Sequence, residues 1–238
     1  MRINGKEATN IFNEYGFVTN PLMNVQRTST AVVPAYEDAV LSVLTHPNVR
    51  GLFEAHFKRA VGLKTWNHFE ANPVTTPHCD AHFWTQDVAF GELLGLWVAL
   101  EDIHFGAGRL YVYPHSHDID LRPLLSDIKT RSRRKSALNI YDPFYLQSMV
   151  NTIKAKGWVC TAPALEPGDV VVWDSRTIHG SLPTTSPEHS RHSLTAHYTL
   201  ARGRFITDRT RRRSVNGISV PFPKLRIGNF LRRLFQQA

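Results

Sequence analysis

The sequence predicts a mainly β protein, built as a sandwich or barrel with helical buttresses. Three observations lead to this fold class. Fourteen Gly and fourteen Pro divide the 238 residues into many short segments, which is typical of β-rich chains. Several segments are apolar runs of strand length, and helical patterns lie in the first sixty residues. The sequence contains no internal repeat, so a solenoid or a propeller is not indicated.

The first elements along the chain are expected to be helical. A helix over residues 7–15 runs into a first strand at 16–18, and two further helices are expected at 36–44 and 49–58. A strand over 67–72 then leads into a polar motif. These helices would pack against the β core from outside.

The remaining strands follow in short steps. The apolar run 93–100 predicts a buried strand, and a glycine turn at 106–108 precedes a strand at 109–113. Further strands are expected at 159–162, 169–173 and 194–200. The polar stretch from about 118 to 157 is expected to be irregular, partly helical, and to lie over one end of the core.

The polar motif is His78-Cys79-Asp80, and a second histidine, His179, lies far downstream in strand-like sequence. Because side chains alternate along a strand, His78 and Asp80 can face one metal while Cys79 faces away. Two imidazoles and one carboxylate are the ligand set of non-haem Fe(II) oxygenases, and they leave the other iron positions open. We therefore predict His78, Asp80 and His179 as metal ligands and catalytic residues.

Arg191 follows His179 in the segment Ser190-Arg191-His192-Ser193. A guanidinium group binds a carboxylate through two parallel hydrogen bonds, which a lysine cannot do. Arg191 is therefore the candidate that would hold a dicarboxylate co-substrate beside the metal.

Composition excludes several classes of protein. Two cysteines, Cys79 and Cys160, cannot make a disulfide framework, and no zinc-finger spacing is present. The N-terminal residues lack the pattern of a signal peptide, and the longest apolar run, 93–100, is too short to span a bilayer. We expect a cytoplasmic protein.

The positive charge is concentrated at the C-terminal end. The formal net charge is +8, yet residues 202–238 hold ten Lys and Arg against one acid, a net +9, which leaves −1 for residues 1–201. We therefore divide the chain into one domain, 1–201, and a basic tail, 202–238. The apolar residues of the tail recur at helical spacing, at Ile227, Phe230, Leu231, Leu234 and Phe235.

Two interpretations of this amphipathic helix stay open. It packs on the body of the protein or on a subunit, or it adsorbs to an anionic membrane surface as a peripheral anchor on the inner face. No nucleic-acid partner is expected, because the tail lacks interleaved stacking aromatics.

Four motifs, in this order and spacing, resemble the phytanoyl-CoA dioxygenase family of Fe(II)/2-oxoglutarate oxygenases. They are His78-x-Asp80; Trp97-Val98-Ala99-Leu100-Glu101-Asp102 followed by Gly108-Arg109-Leu110; Pro114-His115-Ser116-His117; and Pro167-Gly168-Asp169 through His179-Gly180-Ser181 to Arg191-x-Ser193. The resemblance spans roughly residues 10–202.

The resemblance implies a double-stranded β-helix core, the cupin-like jelly-roll. It implies Fe(II) on His78, Asp80 and His179 and 2-oxoglutarate on Arg191, with O2 consumed and succinate and CO2 released. It also implies co-substrate contacts from residues that match the family at three positions: Trp97, Ser181 and Ser193.

Two positions depart from the family's pattern. Cys79 stands where relatives often have Gln, and His115 replaces the usual Gly of a turn. Asp80 is retained, whereas halogenating relatives have a small residue there, so hydroxylation is the expected outcome.

Substrate contacts are expected from five further residues: His82, Trp84, Tyr141, Arg131 and Arg134. Each has an ordinary structural alternative. His82 could instead contact a metal ligand without touching the substrate, and Trp84 and Tyr141 could belong to the core. Arg131 and Arg134, in the basic cluster 129–135, could form a solvated face. His197 is read as a core histidine, His192 as structural, and Cys160 as a small core residue.

The expected reaction is hydroxylation of an unactivated C–H bond. The basic tail favours an anionic substrate, small or presented at a membrane, such as the lipopolysaccharide sugar Kdo. Two alternatives stay open: a protein or peptide hydroxylase that docks an acidic partner, and a jelly-roll that binds a ligand without turnover.

Overall fold

The computed structural model describes residues 34–72, 75–83, 92–118, 143–201 and 212–221. The predicted helix at 7–15, the strand at 16–18, the basic cluster at 129–135 and the C-terminal amphipathic helix lie outside these residues. None of the described helices is both long and apolar enough to cross a membrane.

Three α-helices are described. They are α1 (Pro34–Leu44), α2 (Pro47–Phe57) and α3 (Pro143–Lys156), so the two helices predicted at 36–44 and 49–58 are confirmed. Proline opens α2, where its missing N–H costs nothing, and the ring of His46 accepts a hydrogen bond from the amide of Asn48. Lys58 ends that helix in the left-handed conformation.

The strands are eight in the described part of the chain. They are β1 (Val61–Phe69), β2 (Leu94–Ala99), β3 (Leu110–Val112), β4 (Val170–Asp174), β5 (His179–Ser181), β6 (Ser193–Leu200), β7 (Arg212–Val215) and β8 (Ile218–Pro221). The predicted strands at 93–100, 109–113, 169–173 and 194–200 are therefore confirmed. The strand predicted at 67–72 instead begins at Val61 and ends at Phe69.

The prediction of a strand at 159–162 is wrong. That segment makes only one isolated bridge, in which Thr161 and Val112 exchange backbone hydrogen bonds. Val159 is 79% exposed, so the apolar side chain that suggested a buried strand is not packed against a sheet.

The strands form a mixed six-stranded sheet in the order β4-β2-β6-β1-β8-β7 and a two-stranded sheet of β3 and β5. All neighbours are antiparallel except β1 and β8. The six-stranded sheet does not close into a barrel within the described residues. Leu110 of β3 packs with Trp97 of β2 in one apolar cluster, which joins the two sheets. This architecture agrees with the predicted jelly-roll class.

The two faces of the large sheet have different partners. Residues such as Leu63, Leu96 and Tyr198 point toward α1 and α2 and form the main apolar core with them. Tyr198 stacks on Phe53 with ring centroids 4.2 Å apart, and its hydroxyl donates to the carbonyl of Leu44 at 2.8 Å. The opposite face carries the alternate residues of the same strands and is left for the functional site.

The hairpin of β7 and β8 lies inside the segment that the sequence assigns to the basic tail. It extends the large sheet beside β1, so residues 212–221 belong to the folded body. Its turn is Asn216-Gly217, with both residues at positive φ. Asn-Gly is a strong hairpin signal. The segment was nevertheless assigned to the tail because of the arginines around this turn.

His115 adopts a left-handed backbone, with φ of 64°, at the turn where the family usually has Gly. An L-residue with a Cβ pays about 1–2 kcal/mol in this conformation. Ser116 explains why the turn is kept: its hydroxyl donates to the Tyr113 carbonyl at 2.6 Å and accepts from the Ile178 amide at 2.8 Å. This contact ties the turn to the residue before His179.

His115→Gly should therefore raise the free energy of unfolding by about 1 kcal/mol, because it relieves the Cβ clash while Ser116 keeps the turn. Urea denaturation followed by circular dichroism measures this change. His115→Ala is the matched control, since it removes the same exposed ring but keeps the Cβ, and it should give no such gain. Equal stabilities of the two variants would contradict the explanation.

Candidate metal centre

His78 and His179 are cross-strand partners. The amide of His78 donates to the carbonyl of His179 at 3.0 Å, and the amide of His179 donates back at 2.9 Å. Such a doubly hydrogen-bonded antiparallel pair places the two side chains next to each other on one face. Their ring centroids lie 4.3 Å apart.

Both imidazoles are oriented in the same way. The Nδ1 atom of His78 lies 2.8 Å from the carbonyl oxygen of Thr76, and that of His179 lies 3.0 Å from the carbonyl oxygen of Thr177. These contacts favour the tautomer with the proton on Nδ1 and leave the lone pair on Nε2. Burial also lowers the pKa of His78 to about 4, so its ring is neutral near pH 7.

The carboxylate of Asp80 faces these two rings. Its Oδ1 lies 3.8 Å from Nε2 of His78 and 3.6 Å from Nε2 of His179. The three ligand atoms lie within 4.8 Å of one another, and all three residues are buried. The predicted triad is thus brought together as two imidazole nitrogens and one carboxylate oxygen.

The backbone route to Asp80 differs from the prediction. His78 and Cys79 are extended, but Asp80 opens a turn of 3-10 helix that ends at His82. The alternation expected for a continuing strand therefore stops at Asp80. Cys79 does face away, as predicted: it is buried in a separate cluster, and its thiol donates to the Arg176 carbonyl at 3.1 Å.

The second oxygen of Asp80 is held by residues that the sequence did not single out for this role. The indole N–H of Trp173 donates to Oδ2 at 2.7 Å, and Nε2 of His197 lies 3.0 Å from the same oxygen. Burial raises the pKa of Asp80, but the facing His179 and His197 outweigh it, so the pKa lies below its usual value. His197 is buried, as expected of a core histidine, but its ring also contacts a predicted ligand, a role that was not predicted for it.

A cavity of about 140 Å³ adjoins the three ligands. Its wall includes Trp97, Thr195 and Arg191, together with Ser181 of β5. Trp97 and Ser181 therefore lie where the predicted co-substrate contacts would be. Ser193 does not line this cavity, and its hydroxyl donates to the carbonyl of Arg191 at 3.4 Å. The structure thus separates Ser193 from the other two predicted contacts.

Arg191 is a buried cation without an acidic partner among the described residues. Its side chain donates to the carbonyl of Gly108 at 3.0 Å and lies over the ring of Trp97, 5.9 Å from the centroid. Its Nε has no hydrogen-bond partner there. Burial alone lowers the pKa of Arg191 to about 10. The guanidinium is charged at neutral pH and open to an anion entering the cavity.

The turn that carries Arg191 is fixed on both sides by one carboxylate. Glu101 accepts a hydrogen bond from the amide of His192 at 2.7 Å and from the hydroxyl of Ser190 at 2.9 Å. The amide of Arg191 itself donates to the carbonyl of Glu70 at 2.8 Å. His192 thus has the structural role predicted for it.

His82 is the one predicted substrate contact that the structure describes. It is buried, and its Nδ1 lies 2.7 Å from the hydroxyl of Tyr145 in α3, a residue that also accepts from the amide of Cys79 at 3.3 Å. His82 does not line the metal cavity, so its contact with Tyr145 holds the 3-10 turn that begins at Asp80 from the side away from the cavity. The other four, Trp84, Arg131, Arg134 and Tyr141, lie outside the described residues. Cys160 is only partly buried, so it is not a core residue.

The sequence contained a signal for one of the two missed residues, His197. Along β6, Ser193, Thr195 and His197 alternate with Leu194, Ala196 and Tyr198. This period of two predicts one apolar face and one polar face, and a polar face that is buried marks a site rather than a core. No comparable signal in the sequence singles out Trp173.

Residues 21–193 match the family model described as phytanoyl-CoA dioxygenase. No curated protein is significantly similar in sequence. Among solved structures, the epimerase SnoN from nogalamycin biosynthesis superposes with a TM-score of 0.57 at 21% identity, over 91% of this chain and 79% of SnoN.

Two further structures show the same fold. The carbocyclase SnoK from nogalamycin biosynthesis has a TM-score of 0.54 at 16% identity, covering 95% of this chain and 79% of SnoK. EctD from S. alaskensis has a TM-score of 0.52 at 16% identity, covering 83% of this chain and 67% of EctD. At these identities the likeness concerns the fold alone.

The buried charge of Arg191 should lower the free energy of unfolding of the protein. Arg191→Met should raise the free energy of unfolding of the ligand-free protein by about 1–3 kcal/mol, because it removes a buried charge that no acid within the described residues compensates. Urea denaturation after exhaustive dialysis measures this. Arg109→Met is the control: this half-buried side chain donates to the Ile103 carbonyl, and its loss should bring no gain. A less stable Arg191→Met protein would contradict the argument.

Proposed function

The chain belongs to the phytanoyl-CoA dioxygenase family and is a non-haem Fe(II)/2-oxoglutarate-dependent dioxygenase, and we propose that it hydroxylates an unactivated C–H bond at the cavity beside His78, Asp80 and His179. The observation that carries this proposal is the placement of a buried ligand triad and a buried, unpaired Arg191 on one small cavity. The chemistry of this arrangement suits a metal beside an organic anion such as a dicarboxylate.

The donor set fits Fe(II). Two neutral imidazoles with free Nε2 lone pairs and one carboxylate oxygen occupy one face of an ion and leave the opposite positions open. The backbone carbonyls of Thr76 and Thr177 hold the rings in the ligating tautomer before any metal enters. We therefore assign His78, Asp80 and His179 as the iron ligands.

The part of the cavity wall that contains Arg191 fits 2-oxoglutarate. The guanidinium of Arg191 would bind the distal carboxylate, and its Nε is a buried donor with no hydrogen-bond partner among the described residues. Trp97 lies against the guanidinium and Ser181 faces the same cavity. Both would border the co-substrate, whereas Ser193 would act only by holding the backbone of Arg191.

When bound, Fe(II) with 2-oxoglutarate and O2 supplies the oxidising chemistry that removes a substrate hydrogen and yields succinate and CO2. The protein's own residues orient the ligands, hold the co-substrate carboxylate and exclude water. No side chain is needed as a general base, so none is assigned. Asp80 occupies the position where halogenating relatives have a small residue, which supports hydroxylation.

The substrate is proposed to be a small organic molecule. SnoN, which shares the fold, has been solved with Fe3+, alpha ketoglutarate and nogalamycin RO. The basic tail supports a narrower proposal, an anionic substrate presented at a membrane surface, such as a lipopolysaccharide sugar like Kdo.

An anaerobic titration tests the cofactor assignment without knowledge of the substrate. Apoprotein that receives Fe(II) and 2-oxoglutarate should develop a visible metal-to-ligand charge-transfer band. His179→Ala should abolish the band, because one ligand is lost. Arg191→Lys should retain it but require at least ten times more 2-oxoglutarate, since a lysine makes no bidentate contact. Folded wild-type protein without a band would refute the proposed function.

Vesicle co-sedimentation tests the membrane proposal. The full-length protein should sediment with vesicles of anionic lipid and not with neutral ones, and the binding should weaken as salt is added. Replacing the arginines of the predicted amphipathic helix, Arg226, Arg232 and Arg233, with Glu should abolish it. These changes spare the β7–β8 hairpin, which belongs to the sheet. Equal sedimentation of both proteins would remove the basis of this proposal.

A further inference from the structure

The two oxygens of Asp80 meet different surroundings. Oδ1 faces the Nε2 atoms of His78 and His179, at 3.8 Å and 3.6 Å. Oδ2 is contacted from the other side by Trp173 at 2.7 Å and by His197 at 3.0 Å. All five side chains are buried, so water does not compete for these contacts. One oxygen is therefore presented to a metal, and the other is already bonded to the protein.

Trp173 and His197 reach Asp80 from two strands that are not neighbours. In the large sheet, His197 of β6 pairs with Gly95 of β2, and Gly95 pairs with Trp173 of β4. The three residues thus form one cross-strand row, whose side chains share the cavity face. His197 and Trp173 flank a residue that has no side chain.

Gly95 provides the space that the indole needs. The six-membered and five-membered rings of Trp173 lie across the position that a Cβ on Gly95 would occupy. Any other residue at position 95 would overlap the atoms Cε2, Cζ2 and Nε1 of that ring. The ring therefore crosses the neighbouring strand, and its N–H arrives at Oδ2 of Asp80. The planes of the Trp173 and His197 rings are perpendicular, so the two groups approach the oxygen without clashing.

We propose that Trp173 and His197, with Gly95 as the gap between them, are positioning residues that hold Asp80 as a one-oxygen metal ligand. This inference rests on the proposed function, because it concerns the metal of that site. Turning the carboxylate so that both oxygens reach the metal would break the hydrogen bond from Trp173 and the 3.0 Å contact with His197. Both are in a buried place, where lost polar contacts are costly. A one-oxygen carboxylate leaves more positions of the ion free for a co-substrate.

Packing alone is the competing explanation, since Trp173 also belongs to an apolar cluster with Trp97 and Leu110. Four substitutions separate the two explanations. Trp173→Phe keeps an aromatic ring and removes the N–H. His197→Gln keeps an N–H donor near the position of Nε2, whereas His197→Leu removes it. Gly95→Ala changes neither donor residue but displaces the indole of Trp173 from its position beside Asp80.

The test is a titration of each folded apoprotein with Co(II) alone, followed by its visible absorption. Trp173→Phe, His197→Leu and Gly95→Ala should bind Co(II) about 10–100 times more weakly, as loss of a group that orients a ligand usually does. Their ligand-field bands should also change in intensity, because Asp80 no longer binds through one fixed oxygen. His197→Gln should stay close to wild type. Trp66→Phe and Gly51→Ala, which lie outside the site, should be unchanged.

The outcomes separate this inference from the function on which it rests. Wild-type protein that does not bind Co(II) would refute the metal site and this inference with it. Wild-type binding together with unchanged affinity and spectra in Trp173→Phe and Gly95→Ala would overturn the inference alone. If Trp173→Phe does not fold, the His197 pair decides: equal affinities of His197→Gln and His197→Leu would overturn it, and a weaker His197→Leu would support it.

Discussion

The reciprocal backbone hydrogen bonds between His78 and His179 are the contact on which the rest of the site depends. They join two segments that are far apart in the chain and set the spacing of the two imidazoles through the backbone alone. Because each ring then bonds to the carbonyl two residues before it, neither orientation needs a side-chain partner. The two-stranded sheet and the Ser116 contact to Ile178 keep His179 in register for this pairing.

The large sheet supplies the other half of the site through its alternation. One face is apolar and covered by α1 and α2, and this burial fixes the register of β1, β2 and β6. The register in turn decides which residues stand in one row on the opposite face. The row of His197, Gly95 and Trp173 and the neighbouring row of Thr195 and Trp97 are consequences of the same pairing. The core under the helices thus positions groups that never touch it.

Much of the site could be predicted from the sequence, because its ligands lie in short motifs with a chemical reason for their spacing. His78, Asp80, His179 and Arg191 carried that signal. The support of Asp80 could be predicted only in part. The period of two along β6 places His197 on a polar face, but no pattern in the sequence points to Trp173, which reaches Asp80 through strand pairing. The β7–β8 hairpin was missed for another reason. The arginines around it led to the prediction of a basic tail, although Asn216-Gly217 is a turn signal.

The two charged residues of the cavity, Asp80 and Arg191, differ in how well the protein stabilises their charges. This difference bears on how the metal and the co-substrate would bind. Asp80 already has partners for one oxygen and three histidines around it, so its charge is stabilised before a metal arrives. Arg191 has a backbone carbonyl and an aromatic face but, in the part of the chain that the structure describes, no acid beside it, and burial disfavours its charge. Under the proposed function, the metal end is preorganised and needs little rearrangement. The anion end is under electrostatic strain that a carboxylate would relieve, so part of the affinity for the co-substrate originates in the cost of leaving Arg191 alone.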